Sequence, residues 1–203
     1  MRRMGAIAAG AVMLVMVGAC ASTKFTSTWK DPSVGQLDFK GRAVAAFFVT
    51  SNESLRRSGE TALANELEKR GMRARRGYEI LGADEVKSAD ALRAKLKEAA
   101  VDGAVVMRVI DRRQEVNYVP GTGPYAGTLD GYWGYGWGAV YDPGYLTTDT
   151  IVSVETLVYS VPRNKLVWAG VSETIDPDRI DSAIQGIVDQ AAKAMKKDGL
   201  IGK

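Results

Sequence analysis

Arg42 to Thr50 reads RAVAAFFVT, a nearly continuous apolar run of the kind found in strands buried on both faces. The period then switches. Leu55, Gly59, Ala62, Leu63 and Leu67 recur at the spacing of one helical face. Ser51 or Asn52 is placed to cap its start, and Lys69-Arg70-Gly71 to stop it. This strand-then-helix alternation constrains the fold more than any other feature, because a helix between two strands makes them parallel neighbours joined by a crossover.

The alternation continues. Met72 to Leu81 reads as a second strand and loop, and Ser88 caps a helix with Leu92, Leu96, Ala99 and Ala100 on one face. Asp102-Gly103 turns the chain into a strand from Ala104 to about Val119. Thr148–Val161 and Lys165–Ile175 form a hairpin around Pro162-Arg163-Asn164. A last helix is expected with Asp176 as N-cap and Pro177 at its first position, burying Ile180, Ile184, Ile187, Val188, Ala191 and Met195. The expected order is β-α-β-α-β, an insert, then β-β-α. That is a single α/β domain with a mixed β-sheet and about three packed helices. Phe25–Trp29 alternates at period two and can add a short edge strand.

Residue inventory narrows the chemistry. Among 203 residues there is no histidine and one cysteine, so an intrachain disulfide, a histidine zinc site and a Ser-His-Asp triad are all excluded. No cofactor or metal is expected. Of the 27 basic residues Arg2 and Arg3 lie in the leader described next, leaving 25 against 24 acidic ones, a balance that does not support binding to nucleic acid.

Met1-Arg2-Arg3 is followed by an uncharged run from Met4 to Val17, too short to span a bilayer and of the length of a signal-peptide core. It ends in Val17-Gly18-Ala19-Cys20, which resembles the bacterial lipobox. Cleavage between Ala19 and Cys20, with a lipid on the Cys20 thiol, is expected; an ordinary signal beside a free cysteine is the alternative. The expected organisation is a signal peptide over 1–19, a lipid-anchored tether over 20–40 and a periplasmic domain over 41–203. In lipoproteins of this kind an aspartate after the cysteine resembles an inner-membrane retention signal. Ala21 in that place implies the outer membrane, with the domain facing the periplasm.

The rest of the chain resembles a family of uncharacterised bacterial outer-membrane lipoproteins with a small periplasmic α/β domain. The resemblance rests on Thr28-Trp29-Lys30-Asp31-Pro32, Arg57 to Glu60, Asp102-Gly103-Ala104 and the glycine-tyrosine insert. It extends to Val154-Glu155-Thr156-Leu157, Leu166-Val167-Trp168 and Lys197-Asp198-Gly199-Leu200. By element order alone it is similar to other small periplasmic α/β domains, and element order does not fix function.

Residues 120–147 differ in kind. They hold eight glycines, three prolines and seven aromatics, with Asp130 and Asp142 their only charges. Connections of this length in compact domains are functional or disordered, and Tyr and Trp give large contact areas with few rotatable bonds. Tyr132, Trp133, Tyr135, Trp137, Tyr141 and Tyr145 are therefore the candidate binding residues, for an envelope protein, peptidoglycan or lipid. The plainer readings are a disordered loop or a lid over the domain's own apolar surface. Gly121 to Ala126 loosely matches a dinucleotide fingerprint but lacks a directly following helix.

Three clusters of charged residues each allow two readings. Arg108 and Glu155 read as a structural ion pair across neighbouring strands; Glu155 as an acid or base is the alternative. Asp176, Asp178 and Asp181 can compensate a helix dipole or hold calcium. Lys69, Arg70, Arg73, Arg75 and Arg76 can be a solvated surface or an anion-facing patch. The inventory favours a non-enzymatic binding or assembly module of the envelope over a carboxylate-dependent hydrolase or lyase.

Overall fold

A computed structural model describes residues 22–119, 121, 127–141 and 144–201. The signal peptide, Ala19 and Cys20 lie outside the described residues. The chain forms one mixed α/β domain built on a six-stranded sheet.

In chain order the elements are β1 (Ser22–Lys30), β2 (Ala43–Val49), α1 (Glu53–Lys69), β3 (Arg73–Arg76), α2 (Gly77–Ile80), α3 (Ala89–Glu98) and β4 (Gly103–Val119). Then come α4 (Leu129–Tyr141), β5 (Tyr145–Ser160), β6 (Lys165–Ile175) and α5 (Ile180–Lys197). The strands lie in the order β1-β6-β5-β4-β2-β3. β2 is parallel to β3 and β4, as the intervening helices require, and the other pairings are antiparallel.

Local signals place the helices. Asn52 caps α1 by accepting the Leu55 N–H, and Ser88 caps α3 by accepting that of Ala91. Gly59 lets α1 press onto the sheet, since a Cβ there would lie 2.5 Å from the Phe48 ring. α1 and α5 cover one sheet face. Val44, Ala46, Phe48, Leu63, Met107, Val154, Val167, Trp168, Ile184 and Ile187 form the main core beneath them. The opposite face is thinly covered. α2 and α3 lie over Ala45 and Ala104, and no residue of α3 is fully buried.

Two segments depart from expectation. Within the stretch expected as tether, the edge strand expected at Phe25–Trp29 is present and longer, Ser22–Lys30. Ser22–Lys30 pairs along β6, Phe25 packs edge-on to Trp168 at 5.4 Å between ring centres, and Val34 is buried in the main core. Asp176 is not the N-cap of the last helix, which starts at Ile180 after Arg179. It adopts φ 45°, donates its N–H to the Thr150 carbonyl at 2.8 Å and accepts the Thr150 N–H at 2.6 Å. Those two bonds lock the end of β6 to β5 and leave Pro177 outside the helix. The buried stripe from Ile184 to Met195 is as the period requires.

Candidate functional site

The strand pair β4–β5 is far longer than the sheet that contains it. Its inner half is the centre of the sheet; among the described residues its outer half has no other strand beside it. At the last common level Arg113 lies opposite Ile151, Ile151 opposite Ile175, and Ile175 opposite Ser22. Beyond it β4 and β5 continue as a two-stranded arm, from Gln114 opposite Thr150 to Val119 opposite Tyr145. Val116, Tyr118, Tyr145 and Leu146 are exposed on it.

The arm carries α4. This helix contains Gly131, Gly134, Gly136 and Gly138, each costing about 1 kcal/mol relative to alanine in a helix interior. Interactions between its own side chains run along it. Trp133 meets Trp137 edge-on at 6.1 Å, Trp137 stacks on Tyr141 at 6.0 Å, and Tyr132 lies 6.5 Å from Tyr135. Thr128 steadies the first turn by accepting the Gly131 N–H at 3.2 Å.

Leu129, Trp133, Trp137, Val140 and Tyr141 fall at helical spacing on one face, and all five are exposed, from 49% for Trp137 to 81% for Tyr141. Gly131 and Gly138 fall on the other, whereas Gly134 and Gly136 flank the stripe. Tyr132 and Tyr135 lie off that face and are exposed too, so α4 is apolar and aromatic all round rather than amphipathic. The six candidate aromatics are brought to one projecting structure, five on α4 and Tyr145 at the start of β5. The lid reading fails for them, because 36% to 81% of each is exposed.

Sequence reasoning missed the share of β4 and β5 in this surface. Val116, Tyr118 and Leu146 look like ordinary strand alternation. The available signal was length: β4 has 17 residues, whereas its parallel partner β2 has 7.

A charged collar surrounds the base of the arm. Arg113 donates to Glu173 at 2.8 Å, to Glu115 at 3.1 Å and to Asp111 at 3.3 Å, and these three carboxylates raise its pKa. Asn117 donates to Asp149 at 2.8 Å. Beside the collar is an open cavity of about 700 Å³ lined by Val49, Leu55, Arg108, Arg112, Asp176 and Asp178 among others. A larger one, about 1050 Å³, runs under α3 between Phe47, Leu81, Leu92, Leu96, Val106 and Tyr159.

Arg108 and Glu155 are direct cross-strand partners, the guanidinium donating at 3.0 Å. Their side chains are 54% and 30% exposed, so the pair sits on the sheet surface rather than among apolar neighbours. Glu155 lines neither cavity. Of the aspartate trio, Asp176 is committed to Thr150, and Asp181 is gripped by Arg179, which lowers its pKa. Among the described residues no group of three or more acidic, histidine or cysteine side chains is arranged to hold a metal.

The basic run is divided among local partners. Lys69 and Arg70 bind Glu66, and Arg70 also binds Asp189. Arg73 donates to the Gly41 carbonyl, and Arg75 and Arg76 pair with Glu79.

The most strongly buried charge is Glu60, 1% exposed. It accepts the Tyr78 N–H at 2.6 Å and the Phe48 N–H at 3.5 Å, and Arg56 approaches to 3.8 Å. Burial raises its pKa. Gly77 is needed here, since a Cβ would lie 2.6 Å from a Glu60 oxygen and 2.5 Å from the Phe47 ring. Glu60 thus ties α1 to β2 and to the α2 turn.

No protein-family model matches the chain, and no curated protein matches it. Among solved structures it is similar to a PelC dodecamer from Paraburkholderia phytofirmans, at 13% identity and a TM-score of 0.44, covering 84% of this chain and 96% of that one. It is also similar to lipoprotein GNA1162 from Neisseria meningitidis, at 10% identity and a TM-score of 0.42, covering 77% and 97%. Likeness at that level carries no argument about function. Among the described residues no helix is long and apolar enough to cross a membrane.

Proposed function

We propose that this protein is a lipid-anchored component of the bacterial envelope, held at the outer membrane through Cys20 and facing the periplasm. It acts as a non-enzymatic binding or assembly module, and the arm is its binding element. The observation that carries this reading is the exposed stripe of Leu129, Trp133, Trp137, Val140 and Tyr141 on a helix set apart from the core. Globular domains bury such residues; a stripe presented outward on an arm fits contact with something else. The Val17-Gly18-Ala19-Cys20 motif supplies the anchor.

The test is the paired replacement Trp133→Ala with Trp137→Ala, made in cells and followed by cross-linking. The variant should melt within a few degrees of the wild type, because neither ring belongs to the core, and should lose the cross-links of the wild-type arm. A variant that unfolds, or one that folds and keeps every cross-link and the wild-type phenotype, refutes the assignment.

A further inference from the structure

We propose that the outer arm and α4 lie in the interfacial layer of the same bilayer leaflet that holds the lipid anchor, so that the domain is fixed to the membrane at two points on one end of its sheet. The proposal deepens the function above by naming the arm's partner as lipid, and it rests on the reading of Cys20 as the anchor.

The first observation is one of level. Ser22 stands opposite Ile175, Ile175 opposite Ile151 and Ile151 opposite Arg113, so β1 begins where the arm leaves the sheet. Cys20 precedes Ser22 by two positions, and two residues of chain reach at most about 7 Å. A lipid on Cys20 therefore draws this end of the sheet down to the membrane surface. The arm runs on past that level for six residue pairs, Gln114–Thr150 to Val119–Tyr145, or about 20 Å at the strand rise. An arm longer than the tether, leaving from the same end, meets the bilayer.

The second observation is a charge boundary at the same level. Arg112, Arg113, Glu115, Asp149 and Glu173 surround the base of the arm. Past them, residues 116–148 contain Asp130 and Asp142 as their only charged side chains. A protein partner recognised through charge would need groups that this stretch lacks. A membrane needs the reverse, charge at the water level and Tyr and Trp at the headgroup level.

The third observation concerns α4. Its glycines weaken it as an isolated helix, and a Cβ at Gly134 or Gly136 would meet nothing within 4 Å, so packing inside the protein does not call for glycine at either position. Its exposed tyrosines and tryptophans are the side chains that settle at the headgroup level of a bilayer. Among the described residues the two-stranded arm has open backbone edges, which hydrocarbon does not tolerate. That sets the depth: the arm lies obliquely in the interface, with Trp133 and Trp137 toward the acyl chains. Having no basic residues, this contact should form on zwitterionic lipid and be insensitive to salt.

The experiment uses full-length protein purified from membranes and reconstituted into phosphatidylcholine vesicles, with or without bromine on the lipid acyl chains. Tryptophan emission is compared between wild type and the Trp133→Phe/Trp137→Phe variant, with Trp29 and Trp168 as the common background. The mass of the N-terminal peptide is read from the same sample. The proposal expects quenching by brominated lipid in the wild type and loss of that quenched component in the variant, at low and high salt alike. Equal quenching in both, or wild-type emission reached by aqueous acrylamide and not by bromine, overturns it; the latter is the result if a protein partner owns the stripe. A lipidated Cys20 with unquenched arm tryptophans overturns the arm contact alone. An unmodified Cys20 with quenched tryptophans upholds the arm contact and overturns the anchor.

Discussion

Replacing Glu60 separates the worth of its hydrogen bonds from the cost of its charge. Glu60→Ala leaves the half-buried Tyr78 N–H without its 2.6 Å acceptor and the buried Phe48 N–H without its weaker one. An unsatisfied buried donor costs about 1–3 kcal/mol. Arg56 is not orphaned, because Glu53 holds it by two bonds at 2.7 and 3.0 Å. With a small packing loss the expected cost is about 2–4 kcal/mol, or about 5–15 °C in Tm for a domain of this size. Glu60→Gln keeps an acceptor for Tyr78 in nearly the same volume and should stay within about 1 kcal/mol of wild type at neutral pH.

The pH dependence carries the sign. Burial raises the folded-state pKa of Glu60, so its stabilising contribution is complete below the unfolded value of 4.5 and is lost as pH rises through the folded value. Glutamine has no such loss. The difference Tm(Glu60→Gln) minus Tm(wild type) should therefore increase between pH 4 and pH 8 in a calorimetric series. A difference that falls over that range, or a Glu60→Ala variant that melts with the wild type, refutes this account of the α1–β2–α2 junction.

Further outcomes follow from the same structure. Thr156 is buried on β5, and its hydroxyl has no hydrogen-bond partner among the described residues, so Thr156→Val should raise the urea midpoint with an unchanged m-value. Asp31 is held at about 2 by hydrogen bonds from Lys165 and Ser33, so it stabilises the fold above its unfolded value of 3.8 and loses that contribution as pH falls through about 2. Asp31→Asn should accordingly be less stable than wild type in urea at pH 7 and indistinguishable from it in acid below about pH 2.

The elements legible in the sequence were those whose signals are local. Asn52 and Ser88 cap as their side chains dictate, Asn164 takes the left-handed turn position at φ 46°, and the α5 stripe follows its period. What was not legible depended on distant partners. The period-two alternation of Phe25–Trp29 marked an edge strand, but its pairing is set by β6, more than a hundred residues away, and its extension from Ser22 to Lys30 had no local signal. Asp176 has the residue type of an N-cap, but its two bonds to Thr150 settle its role.

The site divides in the same way. Composition picked out the aromatic cluster, yet four glycines in thirteen residues argue against α4, and intrinsic propensity gives no reason to expect it. The arm beneath it needed the register of β4 against β5. Arg108 and Glu155 were legible as a pair from strand adjacency, whereas their exposure depended on how little α2 and α3 cover.

The central claim is that a lipid on Cys20 holds this domain to the envelope membrane, and the mass of the mature N-terminal peptide tests it most directly. The account predicts a peptide that begins at Cys20 and carries a diacylglyceryl thioether on the sulfur. A peptide containing Ala19 and a free Cys20 thiol, or a mature chain beginning beyond Cys20, would contradict it.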